Sequence, residues 1–221
     1  MAEKNFTPPL GFHALTGLYD KLIASTTDEN SWRPAFVRQV SPRPGHRILE
    51  FGCGTGGLLK TFADTEPRAH YVGLDPDMSA QRIARDKLAD SHAKITFVEG
   101  FADALPNHKE LEPASFDRIV CCLMLHHLTR DAKRATLGNA HQLLKPGGEL
   151  HIADWSKPSS LKMRLAYLQI QLIDGFKTTA DNARGLLPIF MADAGFHNIT
   201  ETISTPTRYG QFGFFRATKE A

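Results

Sequence analysis

The stretch Glu50-Phe51-Gly52-Cys53-Gly54-Thr55-Gly56-Gly57 has the residue types and spacing most suited to chemistry. Glycines at alternate positions let the backbone turn sharply and let a ligand come close to bare main chain at a helix amino terminus. Gly52, Gly54 and Gly57 also satisfy the spacing of a dinucleotide-binding loop. Asp75, 21 residues after Gly54, closes the next apolar run. A carboxylate there accepts hydrogen bonds from the two hydroxyls of a ribose.

Glu50 separates the ligands that such a loop can take. It lies two residues before the first glycine, at the mouth of the loop. A pyrophosphate would bring negative charge against that carboxylate in a partly dry site, which Coulomb repulsion opposes. S-adenosylmethionine (SAM) carries an ammonium and a sulfonium and no phosphate, so an acid here helps it bind. An NAD(P)-binding oxidoreductase is the alternative enzyme, and a non-catalytic SAM-binding protein is the alternative outside catalysis.

Short apolar runs alternate with helical patterns around this loop, as in a parallel sheet with crossover helices. Strands are expected at 47–51, 71–74, 95–98, 118–122 and 149–153, with helices at 57–64, 79–88 and 131–144. Lys145-Pro146-Gly147-Gly148 should stop the last of these helices. Two further strands, 198–204 and 212–217, are joined by a turn expected at Thr205-Pro206-Thr207, too short for a crossover, so they pair antiparallel. The expected fold is α/β: a Rossmann-like, seven-stranded, mostly parallel sheet with a C-terminal antiparallel hairpin and helical cap segments.

The chain divides into an N-terminal helical cap (1–45), a nucleoside-binding core (46–155), a helical insertion serving as substrate cap (156–187), and a closing helix with the hairpin (188–221). In the insertion, Leu161, Leu165, Leu168 and Leu172 recur at helical spacing and read as a core stripe. Any surplus apolar face on that helix would suit a lipophilic acceptor.

Five motifs in order carry a resemblance over roughly 47–154 and the terminal hairpin. They are Ile48-Leu49-Glu50-Phe51-Gly52-Cys53-Gly54-Thr55-Gly56, Gly73-Leu74-Asp75-Pro76-Asp77-Met78, Phe116-Asp117-Arg118-Ile119-Val120, Leu125-His126-His127-Leu128 and Leu144-Lys145-Pro146-Gly147-Gly148. The chain resembles the class I SAM-dependent methyltransferases, and within them the small-molecule branch that includes the ubiquinone/menaquinone-biosynthesis C-methyltransferases.

That resemblance implies SAM as cofactor. Glu50, Gly52, Cys53, Gly54, Thr55 and Gly56 would hold its methionine part. Asp75 and Pro76 would hold the ribose, and Met78 would pack on adenine. Phe101 and Ala102 fall where the family reads the adenine edge, and Cys122 where the chain lines the methionine. The family commonly has an Asp or Asn where Phe101 stands, so Phe101 would pack instead, with Asp103 as a replacement acceptor.

Methyl transfer from a sulfonium needs alignment above all, and a base only when the acceptor arrives protonated. His127, Asp154 and Tyr19 are the candidate catalytic residues. His127 follows the fourth strand, and Asp154-Trp155 ends the fifth. Tyr19-Asp20 resembles a pair that folds over SAM in related enzymes.

Composition narrows the partners. A net charge of +2 without any run of five like charges disfavours nucleic acid, leaving a small-molecule acceptor. The longest apolar run, 119–125, is too short to span a bilayer, so no stable membrane insertion is expected. Cys53, Cys121 and Cys122 read as reduced thiols of a cytoplasmic protein. Ten histidines without H-E-x-x-H spacing indicate no metal, and oligomeric state stays open.

Overall fold

The computed structural model describes residues 29–221 and, for side chains, 32–221. Helix α1 (Glu29–Val40) leads into β1 (Arg47–Phe51), α2 (Gly57–Thr65), β2 (His70–Asp75), α3 (Met78–Lys87) and β3 (Lys94–Glu99). β4 (Phe116–Cys122) is followed by a 3-10 turn at Leu125–His127, then α4 (Arg130–Leu143) and β5 (Leu144–Trp155). Helices α5 (Leu161–Asp174), α6 (Phe176–Ala183) and α7 (Leu187–Asp193) precede β6 (His197–Thr207) and β7 (Gly210–Thr218).

These strands form one sheet in the order β3-β2-β1-β4-β5-β7-β6. β1 to β5 are parallel, and β7 runs against both β5 and β6. The mostly parallel seven-stranded sheet with a closing hairpin is thus the architecture expected. Central strands are buried on both faces, and alternate residues feed two cores. Leu49, Phe51, Leu74 and Ile119 meet α4 and α7, whereas Ile48, Tyr71 and Val120 meet α1, α2 and Tyr167 of α5. Short-range chemistry marks the helix starts: Asp77 accepts from the Ser79 and Ala80 N–H groups, and Ser160 from Met163 N–H.

Three local expectations are corrected. Lys145-Pro146-Gly147-Gly148 does not separate helix from strand, because β5 begins at Leu144 and Gly147 takes its positive φ of 74° within the strand. Thr205-Pro206-Thr207 belongs to β6, and the turn is Arg208-Tyr209. Proline is tolerated there because β6 is the sheet's edge and one rim of it needs no N–H donor. The leucine stripe of α5 is not core. Tyr167, Ile170 and Gln171 are the buried residues of that helix, and Leu161, Leu165 and Leu172 face outward.

Helix α6 is fastened to α4 by polar contacts. Lys133 of α4 is fully buried and donates to the carbonyls of Leu128 (3.0 Å) and Thr178. Asp181 of α6 lies 3.7 Å from its ammonium and accepts from Arg130. Among the described residues no helix is long and apolar enough to cross a membrane. Removing one partner of a buried charge cluster leaves the other desolvated. Lys133→Met should therefore cost about 3 kcal/mol, softened by the remaining Arg130, and urea unfolding measures it.

Candidate functional site

The carboxyl ends of β1, β2, β4 and β5 meet at one edge, where an open α/β sheet binds its ligand. The glycine loop is sewn to the tip of β2. Gly52 and Cys53 N–H both donate to the Leu74 carbonyl, at 2.8 and 3.2 Å, and Gly54 N–H donates to Asp75 Oδ2 at 2.8 Å. Two glycines matter by geometry. Gly52 has φ 70°, and a Cβ on it would stand 2.7 Å from Met124 Cγ. Gly54 has φ 49°, yet a Cβ there would meet nothing within 4 Å, so its bare backbone faces open space.

Two carboxylates flank that space. Asp75 also accepts from Asp77 N–H at 2.8 Å, so each of its oxygens holds one backbone donor and keeps a lone pair for a ligand. Burial pushes its pKa up, partly offset by the two N–H groups. Glu50 is buried, and its Oε2 has no hydrogen-bond partner. Burial raises its pKa to about 8, with Arg33 pulling down and Asp75 pushing up. An orphaned carboxylate oxygen beside an open glycine fits an ammonium, and a ribose fits Asp75. The residues present therefore suit SAM.

The remaining residues expected on the cofactor side lie as follows. Thr55 is buried and receives Lys87 Nζ at 3.2 Å; Cys53 is buried behind the loop. Pro76 is half-buried and Met78 is 46% exposed, which leaves its thioether accessible to a ligand. Phe101 bridges to Ala104, and Asn139 of α4 holds the Ala102 carbonyl at 2.8 Å. Cys122, half-buried, ends β4 beside Ala153. Leu123 follows with φ 48°, a left-handed conformation unusual for a branched residue and held by its N–H to the Ala153 carbonyl.

A second constellation lies where β4 and β5 meet the cap. Asp154 Oδ1 is 2.7 Å from His126 Nδ1 and accepts from Trp155 N–H at 2.7 Å and Asn182 Nδ2 at 3.3 Å. His126 Nε2 is 3.6 Å from Asp174 Oδ2, and His127 Nδ1 is 3.8 Å from Asp174 Oδ1. The two rings are 4.0 Å apart. Burial disfavours charge on His126, but Asp154 and Asp174 outweigh it and raise the pKa. Burial and the neighbouring His126 hold the His127 pKa well below the ordinary value, so that ring is neutral. Its Nε2 has no partner.

Three of these side chains, His126, His127 and Asp174, have ligand atoms within 4.8 Å of one another, a grouping that sequence spacing did not reveal. His127 and Asp154 come to the same site but in different positions: Asp154 is fully buried behind His126, whereas His127 faces the cap. Tyr19 lies outside the described residues. Sequence reasoning missed Asp174, Asn182 and Arg33, whose guanidinium stands 2.8 Å from where a Gly57 Cβ would be. The signal available for Asp174 was only its place before Gly175 at the end of α5.

The strand order, the loop sewn to β2 and the carboxylate pair define a nucleoside-binding domain of methyltransferase type. Residues 49–150 match the family model described as a methyltransferase domain. The chain is 29% identical over 217 residues to the ubiquinone/menaquinone biosynthesis C-methyltransferase UbiE of Ectopseudomonas mendocina, covering 86% of this chain and 80% of that protein. It is 29% identical over 220 residues to UbiE of Shewanella piezotolerans, covering 88% and 84%. The fold matches the crystal structure of YcgJ from Bacillus subtilis, with TM-score 0.70, 13% identity, and 87% and 99% of the two chains covered. It also matches Haemonchus contortus phosphoethanolamine N-methyltransferase 2 in complex with SAM, with TM-score 0.68, 16% identity, and 86% and 53% covered. The methyltransferase domain over residues 49–150 and the likeness to these relatives over most of the chain support a SAM-dependent methyltransferase.

Glu50 yields a prediction with a definite sign. Its carboxyl is mostly protonated at pH 7, and an ammonium beside it favours the ionised form. Binding of SAM or S-adenosylhomocysteine should therefore release a fraction of a proton at pH 7, read by calorimetry in buffers of different ionisation enthalpy. Glu50→Gln should abolish the release and weaken binding about tenfold, or about 1.4 kcal/mol. Because the folded pKa is raised from 4.5 to about 8, Glu50 costs stability progressively as pH rises between those values, and the full cost holds above them. The variant without ligand should then melt higher at alkaline pH, by about 2–4 °C for each kcal/mol recovered.

Proposed function

We propose that the protein methylates a small, lipophilic, hydroxylated aromatic ring, with a ring carbon as the receiving atom and His127 as the base. The observation that carries this is the neutral His127 ring, its Nδ1 facing Asp174 and its Nε2 without a partner, at the carboxyl edge. The C-methyltransferase relatives of ubiquinone and menaquinone biosynthesis support the acceptor class. When bound, SAM supplies the methyl group on a sulfonium. His127 Nε2 takes the hydroxyl proton, and electron density released into the ring makes its carbon nucleophilic. Asp174 stabilises the imidazolium that results. The ring's own C–H proton then passes to water and His127 returns its proton to the ring oxygen, which restores aromaticity and the neutral base, with S-adenosylhomocysteine as the other product.

Asp154 acts through His126 in this reading. It holds that ring, which keeps a positive charge next to the phenolate being formed. Glu50, Gly52, Gly54 and Asp75 bind the cofactor, with Cys53, Thr55, Gly56, Pro76, Met78, Phe101, Ala102 and Cys122 lining its two ends. The segments 1–45 and 156–187 act as caps over a core at 46–155 that 188–221 completes. Three free cysteines accord with a cytoplasmic location.

The test is turnover of SAM carrying a deuterated methyl with hydroquinones bearing an apolar tail, the position of the label being read by NMR. Asp75→Ala should abolish SAM binding. His127→Asn should lower kcat at least 100-fold with SAM affinity unchanged. The pH profile at saturating SAM also bears on the base. A base with a lowered pKa stays neutral below pH 6.5, so activity should hold level through that pH instead of halving there. Label on oxygen, or activity that requires added Zn2+ or Mn2+ and disappears with EDTA, would sink this assignment and give the cluster to other chemistry.

A further inference from the structure

The cap presents one more feature that methyl transfer leaves unused. Leu161, Leu165, Leu172 and Ile173 of α5 and Phe176 of α6 are each more than half exposed. Residues 161, 165, 168 and 172 fall on one face of α5, opposite the buried Tyr167 and Ile170. An apolar face of this extent on a soluble domain marks a contact with something else.

Charge says what that contact is. Residues 156–187 contain five cations, Lys157, Lys162, Arg164, Lys177 and Arg184, and two acids, Asp174 and Asp181. Both acids point inward: Asp174 to His126 and His127, Asp181 to Arg130 and Lys133. The outward charges of this segment are therefore all positive. Five cations against two acids make the cap +3, so the other residues of a chain with net charge +2 carry −1. The basicity of the protein is concentrated where its apolar face is exposed.

A cleft of about 490 Å³ between α5 and α6, which shares Phe176 with that apolar set, is lined by Arg164, Gln171, Phe176, Lys177 and Arg184. Arg164 Nη1 and Gln171 Oε1 are buried and have no hydrogen-bond partner, although Gln171 is only 2% exposed. A donor and an acceptor left open beside two further cations, Lys177 and Arg184, suit a phosphodiester whose head group carries hydroxyls. The anion accepts from Arg164, and a hydroxyl donates to Gln171.

We propose that the outer face of α5 and α6 docks on an anionic lipid bilayer, with the leucines in the acyl boundary and the cleft holding a head-group phosphate. Apolar burial and attraction of cations to anionic lipid act together in such a helix lying in the interface. The surface does not depend on the acceptor assignment, since it involves neither the glycine loop nor the histidines.

The experiment is vesicle flotation of the full chain. The two preparations are phosphatidylcholine alone and an equal mixture of phosphatidylcholine with phosphatidylglycerol. The protein should float with the mixed vesicles and not with the neutral ones, and high salt should weaken binding. The pair Leu165→Glu and Leu172→Glu should abolish flotation, and Lys177→Glu with Arg184→Glu should weaken it at least tenfold. Both variants should keep the wild-type melting temperature and affinity for S-adenosylhomocysteine, which separates this failure from any failure at the cofactor site. Wild-type protein that stays with neither vesicle overturns the proposal. So does a dimer in solution that the leucine variants convert to monomer, because a second copy would then be the occupant.

Discussion

The hydrogen bond from Gly54 N–H to Asp75 Oδ2, 2.8 Å long, ties the glycine loop to the tip of β2, and the binding edge depends on that tie. It brings two strand ends into one frame and points a bare stretch of backbone at open space. It also orients Asp75 before any ligand arrives, with Asp77 N–H holding the second oxygen. Preorganisation of this kind reduces the ordering that binding must impose. The same packing buries Glu50 without a partner for one oxygen, and its high pKa follows from that lack of solvent. A site that is strained electrostatically when empty is relieved by a cation.

The second half of the site depends on α5 and α6 being registered to the sheet. Asn182 of α6 reaches both Asp154 Oδ1 and the Trp155 carbonyl, at 3.3 and 2.9 Å. Lys133 ties the carbonyls of Leu128 and Thr178 together on the other side of the histidine turn. Asp174 therefore comes to the histidines because α5 ends where α6 is anchored. Two neighbouring imidazoles then acquire opposite tendencies. His126, between two carboxylates, holds its proton, while His127, buried beside that positive ring, gives its proton up.

The inward demands of the cap also account for its exterior. α5 commits Tyr167, Ile170 and Gln171 to the core, so its leucines are left outside. Spacing shows that four leucines share a face. It does not show which face the rest of the molecule covers, since α5 is apolar on two sides and either could have packed.

Much of the protein was legible in its sequence because the informative interactions are local. A strand that runs into closely spaced glycines must turn sharply, and an acid 21 residues on must end the neighbouring strand. The short apolar runs and helical patterns determined the alternation of β and α and so a mostly parallel sheet, whereas the order of its strands came from the tertiary structure. The hairpin was legible from the shortness of its connection, although its turn moved to Arg208-Tyr209 because Pro206 sits on an edge strand. What only the tertiary structure decided is distant in sequence. It brought Asp174 to His126, 48 positions apart, set Arg33 against Gly57, and buried Glu50 without a partner for Oε2. Proximity of that kind, and the desolvation that shifts a pKa, arise from how faces pack, and no residue type or spacing along the chain encodes them by itself.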